Sequence, residues 1–525
     1  MSCLSAGNNH IFFNMLRTTI DLEKAEFSYY LQMQAIQEAD IRVRIARDNP
    51  WWAATDYKML EAESPRRQYF QPFRDLALNF SIRRATVLLG PRRVGKTFMI
   101  KQLIHEAIAN GIPAKNILYV SIDTPIYLGI SLEKFLSFMP KASAESKCVV
   151  VFDEIQYLQD WEVHLKDLVD NHPHTKFIAS GSAAAALQLK SRESGAGRFS
   201  DFMLPPLTFY EFLRFIGEDE KHIKLATTTK EGKLFGSWEV LDIEGLNNRF
   251  VDYLNYGGYP EAVLNEQIRA NPEKFIKDDI IDKVLLKDLP VLYGIIGIQE
   301  LNKLFSVLAY NAGTEGSFEN ISQESGITKP TIKRYIEYLE SAFLLIKIST
   351  VDDNCKSMKR ERNFKIYLNN PSMRAALFAP VQPDDSQKIG QLAECAVFAQ
   401  WQHATQFSNL RYSRWRNEGE VDIVYLNPGN QKPMWIGEIK WSDRVITKEY
   451  EELRSLSSLI RKHKTIRNAV FTTKTHSAEI EIDGRIVNLT PCAVYCYVVG
   501  RNITTQLEAP VLLENTPSQA KLFEN

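Results

Sequence analysis

The chain of 525 residues has few cysteines, no excess of charge of either sign and no long hydrophobic run. Its six scattered cysteines exclude a disulfide-stabilised scaffold and indicate reduced thiols. The 63 Lys and Arg residues balance 64 Asp and Glu residues to a formal charge of −1, so the overall charge favours neither a nucleic-acid nor a membrane partner. The longest apolar runs, such as 493–499, are far shorter than the ~20 residues of a membrane-spanning helix. With no secretory-leader pattern either, we expect a cytoplasmic protein with no membrane partner.

Short apolar runs alternate with helical stretches from about residue 84, which is typical of a parallel sheet with crossover helices. Most of these runs are continuously apolar, as strands buried on both faces are. After residue 206 the sequence is mostly helical to about residue 293. Cys492 and Cys496 share a face of a predicted strand, and no second metal-spaced pair lies nearby, so zinc is not expected. The predicted strands lie at 85–89, 117–122, 148–152, 176–179 and 201–204.

The first predicted strand leads into the pattern G-x-x-x-x-G-K-[ST] of a phosphate-binding loop. Its glycines let backbone N–H groups surround a polyphosphate, Lys96 brings a positive charge to the β- and γ-phosphates, and the Thr97 hydroxyl ligates Mg²⁺. A helix that begins here directs its positive end at the anion. We therefore predict a site for ATP and Mg²⁺, with an ordinary glycine turn as the alternative. The loop consists of Gly90, Pro91, Arg92, Arg93, Val94, Gly95, Lys96 and Thr97.

Two carboxylates follow the apolar strand 149–152, about 60 residues after the loop. Asp153 is expected to hold Mg²⁺ through water, and Glu154 to polarise the attacking water. Ser180, at the end of the fourth strand, either orients the water and senses the γ-phosphate or belongs to an ordinary turn. Arg198, before the fifth strand, either stabilises the transferred phosphoryl group, in its own chain or in a neighbour's, or is a surface arginine.

A second possible phosphate-processing site is spread over the C-terminal third of the chain. Asp422, Glu438 and Lys440 fit the pattern D-x(n)-E-x-K, in which two strands of a hairpin hold a divalent metal between carboxylates and the lysine positions or deprotonates the water. Glu394, on the preceding helix, is the candidate third carboxylate, with Glu418 and Glu420 as substitutes. The order helix, strand, strand, helix, strand is that of restriction-endonuclease-like folds. The alternative is an inherited fold that keeps these residues for structure or for DNA docking.

Candidate nucleic-acid contacts lie between these two sites. Residues 321–326 and 328–339 have the form of a helix-turn-helix, and 343–348 with 365–368 form its wing. The second helix offers basic side chains to phosphates or base edges, and a basic segment follows it. The alternative interpretation of each basic group is an ordinary solvent-exposed surface. A winged helix can also dock a protein. We expect DNA as the partner, with RNA as the alternative. The candidate contact residues are Lys329, Lys333, Arg334, Lys359 and Arg360.

Taken together, these motifs resemble those of prokaryotic AAA-type P-loop ATPases with a C-terminal winged-helix plus PD-(D/E)xK nuclease-like domain. The resemblance runs over most of the chain and implies a five-stranded ATPase core, a helical lid, a winged helix and a nuclease-like C-terminal domain. The literal Pro-Asp of the nuclease motif is absent, because Val421 precedes Asp422. The matching segments are 49–52, 90–97, 153–156, 180–182, 197–198, 207–212, 256–261 and 286–289.

The sequence therefore predicts an α/β multidomain protein with an ATPase core, helical lid, winged helix and restriction-endonuclease-like α/β domain. We expect ATP hydrolysis coupled to nucleic-acid binding and to Mg²⁺-dependent endonucleolytic cleavage of DNA. The alternative is a regulatory switch or scaffold whose nuclease-like domain only binds DNA or a protein. A homo-oligomer follows if Arg198 reaches a neighbour's nucleotide. The predicted parts are an N-terminal helical extension 1–65, the ATPase core 66–206, the lid 207–295, the winged helix 296–385, the nuclease-like domain 386–510 and a tail 511–525.

Overall fold

The computed structural model describes eight stretches of the chain, and the predicted tail 511–525 and residues 1–37 of the N-terminal extension lie outside them. Within the described stretches, no helix is both long and apolar enough to cross a membrane. The stretches are 38–54, 57–140, 146–181, 197–230, 233–356, 363–402, 404–415 and 419–506.

Five parallel strands form the first sheet, in the order β2–β3–β4–β1–β5. Residues of β1 through β4 are almost entirely buried, as their apolar sequences require in a sheet covered on both faces. All strands run the same way, so the carboxyl ends of β1, β3 and β4 meet at one edge. This sheet confirms the five predicted strands. They are Ala85–Leu89 (β1), Ile117–Ser121 (β2), Cys148–Asp153 (β3), Thr175–Gly181 (β4) and Phe199–Met203 (β5).

The helices around this sheet follow the alternating pattern of the sequence. The helix Lys96–Ala109 connects β1 to β2 and buries its apolar side against the sheet. Further helices span 38–48, Leu60–Glu63, Phe70–Ala77, Leu132–Leu136 and Trp161–Asn171.

Residues 49–52 cover the outer edge of β2. The Asn49 side chain accepts a hydrogen bond from the Tyr119 N–H (2.6 Å) and donates one to the Tyr119 carbonyl (2.9 Å). The indole N–H groups of Trp51 and Trp52 both donate to the Ile117 carbonyl, at 3.1 and 2.8 Å. These side chains satisfy backbone groups that an edge strand otherwise leaves free.

The region 207–293 is mostly helical, as predicted, but it also contains an antiparallel hairpin. Its strands are Ile223–Lys230 (β6) and Lys233–Val240 (β7). The prediction missed them although their threonine-rich sequence has high strand propensity. The helices are Phe209–Phe215, Ile243–Tyr256, Pro260–Leu264, Glu266–Arg269, Pro272–Phe275, the π-helical stretches Ile276–Asp282 and Val284–Asp288, and Leu289–Tyr293.

A helix, a glycine turn and a second helix follow, at the predicted place. The helix Phe318–Ser325 ends at Gly326, whose φ of +75° is a left-handed conformation that glycine adopts without strain. The helix Lys329–Ser341 comes next, and Leu345–Val351 (β9) then pairs antiparallel with Asn363–Leu368 (β10). The helix Ile298–Tyr310 and the short strand Glu315–Ser317 (β8) precede them.

The remaining strands join this hairpin in one sheet, which continues across the predicted division at residue 385. β9 pairs in parallel with β11, through Tyr412 opposite Thr350 and Ser413 opposite Val351. The nine-stranded order is β15–β16–β14–β13–β12–β11–β9–β10–β8. A sequence boundary therefore crosses a continuous sheet. The added strands are Leu410–Trp415 (β11), Gly419–Leu426 (β12), Pro433–Glu438 (β13), Asn468–Thr473 (β14), Ala478–Ile482 (β15) and Arg485–Pro491 (β16).

The predicted strand around Cys492 and Cys496 is wrong, because both residues lie on the helix Cys492–Gln506. They share a face of that helix, four residues apart, and both are buried. A short apolar run does not distinguish a buried strand from a buried helix. The other helices of this part are Ser372–Leu377, Ser386–Trp401, Glu449–Glu452 and Arg454–Lys462.

Candidate nucleotide site and acidic cluster

The phosphate-binding loop joins the carboxyl end of β1 to the helix Lys96–Ala109. A Cβ on Gly90 would lie 2.2 Å from the Leu204 carbonyl oxygen, and Gly95 has a φ of +95°, so both positions require glycine. The ammonium of Lys96 donates to the carbonyls of Gly90 (3.0 Å) and Pro91 (2.8 Å). Burial lowers the pKa of Lys96. The loop is thus already folded around the lysine that the motif assigns to the phosphates.

Asp153, at the end of β3, accepts hydrogen bonds from hydroxyl groups of β2, of β4 and of the loop helix. The hydroxyls of Thr97 and Tyr119 each donate to Asp153 Oδ2 at 2.8 Å, and Ser180 donates to Oδ1. The Ser180 oxygen also accepts the Glu154 N–H, at 3.3 Å. The structure therefore brings Thr97, Asp153, Glu154 and Ser180 together. The sequence prediction did not include Tyr119, whose only signal is a hydroxyl group within the apolar run of β2.

Glu154 lies directly beyond the end of β3, with a φ of +54°. Its carboxylate accepts a hydrogen bond from the Gln156 amide. Burial raises the pKa of Glu154, and the positive charge of Lys96 opposes that rise. A carboxylate with a raised pKa is a stronger general base than a solvated one.

A cavity of about 1090 Å³ opens beside the loop. Ligand pockets of roughly 300–1,000 Å³ take drug-sized molecules, so a nucleotide has room here. Residues of the helical region 207–295 close one side of the cavity, and the segment before β1 closes another. The lining includes Glu61, Arg67, Thr97, Glu154, Phe215 and Leu264.

The two arginines of the loop are held by carboxylates of the helical region. The Arg92 guanidinium donates to both oxygens of Asp288, each at 2.6 Å. Arg93 donates to Glu261 (2.9 Å) and Asp279 (3.0 Å). The prediction places Arg92 and Arg93 at the nucleotide as members of the loop. Both residues line the cavity, and their side chains join the loop to the helices that flank it.

Replacing Asp288 by Ala is expected to tighten ATP binding about tenfold. The change frees the Arg92 guanidinium, 18% exposed in the protein, for a charge-assisted hydrogen bond to phosphate, which contributes about 1.5–3 kcal/mol. Titration with a fluorescent ATP analogue measures the affinity. Asp282→Ala, which removes an exposed pair with Lys277, is the matched control, and unchanged or weaker binding by Asp288→Ala would contradict the expectation.

Arg198 lies at the wrong edge of the sheet to reach its own chain's nucleotide. It precedes β5, whose Phe199 pairs with Ala85 at the start of β1, whereas the loop follows the end of β1. At 3.3 Å per residue, the strand separates the two edges by about 13 Å. The Arg198 side chain pairs with Asp170. The prediction of a role within the same chain is therefore wrong, and a role at a neighbour's nucleotide stays a prediction.

The four residues predicted for the second site come together. Asp422 on β12 accepts the Ile439 N–H at 2.9 Å, directly after Glu438 ends β13. The Lys440 ammonium lies 2.6 Å from Glu438 Oε1 and 3.6 Å from Asp422 Oδ2. Glu394, on the helix Ser386–Trp401, meets Asp422 through a shared lysine. We call these residues, with that lysine and Glu420, the acidic cluster. Glu418 lies outside the described residues.

The shared lysine is Lys365 of β10, which the sequence analysis missed. Its ammonium lies 2.6 Å from Glu420, 3.2 Å from Asp422 Oδ1 and 3.2 Å from Glu394 Oε2, and the residue is only 3% exposed. Tyr367, two residues on, donates to the same Glu394 oxygen at 2.6 Å. The signal available in the sequence was a lysine inside an apolar strand. Lys365 was assigned to the winged helix and its carboxylate partners to the nuclease-like domain, so their contact was not predicted.

Burial sets the protonation behaviour of the carboxylates. Burial and the nearby charge of Asp422 raise the pKa of Glu438 to about 8 and that of Glu394 to about 7. Burial also opposes ionisation of Asp422, but the ammonium groups of Lys440 and Lys365 outweigh it and lower the Asp422 pKa. A further cation beside Glu438 and Glu394 would therefore favour the ionised form of both carboxylates.

One atom of the cluster is suited to such a cation. Glu438 Oε2 is buried and has no hydrogen-bond partner among the described residues, while the residue is 8% exposed. Within the same stretches, no three carboxylate, thiolate or imidazole groups are arranged to hold a metal ion. Asp422 and Glu438 place carboxylate oxygens, the ligand type that suits Mg²⁺ or Mn²⁺, near the Lys440 ammonium.

The nucleic-acid candidates are only partly within the described residues. Lys329, Lys333 and Arg334 are exposed on the helix Lys329–Ser341, and Lys329 pairs with Glu319. Lys333 and Arg334 have no carboxylate partner in the part of the chain that the structure describes. Lys359 and Arg360 lie outside that part. Position 182, the end of the matching segment 180–182, also lies outside it.

Two parts of the chain match known domain families, and the function of one of these families is unknown. Residues 82–213 match the AAA domain family (AAA_14), and residues 247–385 match a domain of unknown function (DUF8612). Residues 82–213 therefore form a P-loop ATPase domain of the AAA type, built on the parallel sheet.

Two similar proteins are described as uncharacterized. One uncharacterized protein of Methanocaldococcus jannaschii is 23% identical over 366 residues, covering 68% of this chain and 76% of its own length. A second from the same organism is 24% identical over 388 residues, covering 71% and 80%. Among solved structures, the Walker-type ATPase of Pyrococcus abyssi is 14% identical with a TM-score of 0.34, covering 60% of this chain and 95% of that one.

Proposed function

We propose that this chain is an ATP-hydrolysing enzyme that binds DNA and cleaves it with a divalent metal at the acidic cluster. The observation that carries the proposal is the meeting of Asp422, Glu438 and Lys440, with Glu438 Oε2 buried and unpartnered among the described residues. Buried titratable groups with shifted pKa values cluster at functional sites. RNA is the alternative substrate.

At the nucleotide site, Lys96, Glu154, Ser180 and the pair Thr97 and Asp153 have roles in hydrolysis. Thr97 and Asp153 would hold Mg²⁺, which when bound neutralises charge on the β- and γ-phosphates. Lys96 exchanges its carbonyl partners Gly90 and Pro91 for phosphate oxygens. Glu154 accepts a proton from the attacking water, and Ser180 fixes the position of both acidic residues.

At the acidic cluster, Asp422 and Glu438 would hold the divalent ion, which when bound stabilises negative charge on the scissile phosphate. Lys440, 2.6 Å from Glu438, orients the attacking water through its ammonium group. The Ile439 N–H fixes one oxygen of Asp422, so the carboxylate presents a constant face to the phosphate. Lys333 and Arg334 would bind the DNA backbone.

Hydrogen bonds link the phosphate-binding loop to the helix that carries Glu394, which supports coupling between the two sites. The Arg67 guanidinium donates to the Val94 carbonyl of the loop (2.8 Å) and, with two nitrogens, to Glu211 (2.8 and 3.0 Å). Glu211 closes the first turn of the helix Phe209–Phe215. The Phe209 N–H then donates to Gln400 (2.9 Å), which lies on the same helix as Glu394. A displacement of the loop can thus be passed to the acidic cluster.

Lys440→Ala is expected to lower DNA cleavage about tenfold to a hundredfold, because a charged hydrogen bond contributes about 1.5–3 kcal/mol. Cleavage of single- and double-stranded DNA is measured with Mg²⁺, with and without ATP. Lys432→Ala, at an exposed position of the same hairpin, is the matched control. If the unaltered protein cleaves neither strand form under any of these conditions, the nuclease half of the proposal is wrong.

The alternative is a regulatory switch whose nuclease-like part only binds DNA or a protein. The ion pairs of Lys365 favour it, because they satisfy three carboxylates without a metal. Comparing two variants in cells separates the proposals. If Lys440→Ala retains all cellular activity while Lys96→Ala loses it, the switch is the correct interpretation.

A further inference from the structure

Two aromatic rings lie exposed, side by side, at the ends of two helices. Tyr310 ends the helix Ile298–Tyr310 and is 72% exposed, and Phe378, directly after the helix Ser372–Leu377, is 45% exposed. Their ring centroids are 5.9 Å apart and their planes meet at 68°. An edge-to-face pair covers at most one face of either ring, so Tyr310 keeps a face open to solvent. We call Tyr310 and Phe378 the aromatic pair.

A positive charge lies beside the aromatic pair. The Arg374 guanidinium lies over the Phe378 ring, 5.3 Å from its centroid. The nearby carboxylate of Asp385 is paired with Lys388 instead, at 2.6 Å, so the guanidinium is available to another anion. An open ring with a cation at its side fits a nucleotide, because the base stacks on the ring and the phosphate binds the guanidinium.

The chain that follows Tyr310 leads to the acidic cluster. Gly313 comes three residues later, at most about 11 Å away along the chain. Its N–H donates to the Ile366 carbonyl at 2.8 Å, and Ile366 precedes Tyr367, which donates to Glu394. A Cβ on Gly313 would lie 4.0 Å from the Glu394 carboxylate. At about 3.4 Å per nucleotide along a strand, the aromatic pair is therefore within a few nucleotides of the cluster.

We infer that the aromatic pair stacks unpaired bases, so that single-stranded DNA is the form that reaches the acidic cluster. The inference rests on the proposed DNA cleavage and names the strand form on which it acts. Bases of a duplex are stacked and paired with one another, and a protein reaches their faces only by extruding them. Every base has a face that stacks on an aromatic ring, so the pair selects strand form rather than sequence.

Binding of single strands and matched duplexes by the nucleotide-free full chain tests this, in EDTA so that no strand is cut. The DNA carries 2-aminopurine, whose fluorescence is quenched on stacking. Tyr310→Leu keeps an apolar side chain without the ring and is expected to weaken single-strand binding about tenfold, as the loss of one stacked base does. Tyr310→Phe keeps the ring and is expected to bind and quench as the unaltered protein does.

Duplex affinity is expected to stay within twofold in both variants. The matched control is Ile296→Ala, at a 98% exposed apolar position just before the same helix, and it is expected to change neither affinity. Circular dichroism checks folding. If Tyr310→Leu does not fold, Phe378→Leu takes its place, with the same expected loss.

Three results would overturn the inference: single-strand binding by folded Tyr310→Leu within twofold of the unaltered protein, an equal loss of duplex binding, or no binding of single strands by the unaltered protein. Ring-dependent binding of single strands without cleavage would leave the stacking site standing and contradict the proposed cleavage. Cleavage of DNA by a protein whose single-strand binding ignores Tyr310→Leu would do the reverse, so the two failures are distinguishable.

Discussion

Glu154→Gln is expected to lower the rate of ATP hydrolysis by about 100- to 1,000-fold, because a positioned general base contributes 10²- to 10⁴-fold to a rate. Glutamine has nearly the same shape but accepts no proton from water. Binding is expected to change little, since Lys96, Thr97 and the loop backbone, which hold the phosphates, are untouched. Phosphate release measured under saturating ATP gives the rate, and a fluorescent analogue gives the affinity.

The matched control for this variant is Glu133→Gln, at an exposed position of the helix Leu132–Leu136. It is expected to hydrolyse ATP at the unaltered rate. Hydrolysis by Glu154→Gln within threefold of that rate would mean that another group activates the water. It would leave Glu154 with only the structural role implied by its Gln156 contact.

Arg67→Ala is expected to lower the free energy of unfolding by about 3–5 kcal/mol, the cost of removing one partner of a buried ion pair. Arg67 is 5% exposed and Glu211 1% exposed. The change leaves the Glu211 charge buried and frees the carbonyls of Val94 and Pro205, which Arg67 also bonds. Urea denaturation followed by tryptophan fluorescence measures the loss.

Two further variants separate the charge from the other contacts of Arg67. The double variant Arg67→Met with Glu211→Gln removes both charges and is expected to lose less than Arg67→Ala alone. Arg47→Ala, at an exposed arginine, is expected to change stability by less than about 0.5 kcal/mol. Equal stability of Arg47→Ala and Arg67→Ala would contradict the assigned role of the pair.

The elements predicted correctly from the sequence are those whose signal is local. The loop 90–97 and the strand ending at Asp153 each carry their pattern within ten residues, and a parallel sheet follows from the alternation of strands and helices. The convergence of Asp422, Glu438 and Lys440 could also be predicted from the sequence, because a hairpin brings neighbouring strands together whatever the rest of the fold is.

The features that the prediction missed depend on contacts between distant segments. The pairing of β9 with β11 joins parts of the chain about sixty residues apart (Thr350 with Tyr412), and no local pattern encodes it. Lys365 therefore appeared to belong to a wing, and its three carboxylate partners were not foreseen. Arg198 was correctly placed before β5, but its distance from the loop depends on the register of β5 against β1, which the sequence does not show.

The side chains over the outer edge of β2 have a consequence for how copies of this protein can assemble. Asn49 bonds the N–H and the carbonyl of Tyr119 as a neighbouring strand would, and the two indoles occupy the Ile117 carbonyl. These N–H and carbonyl groups are therefore not free to pair with a strand of another chain. An oligomer that carries Arg198 to a neighbour's nucleotide is consequently not built by strand addition at Ile117 and Tyr119 of β2.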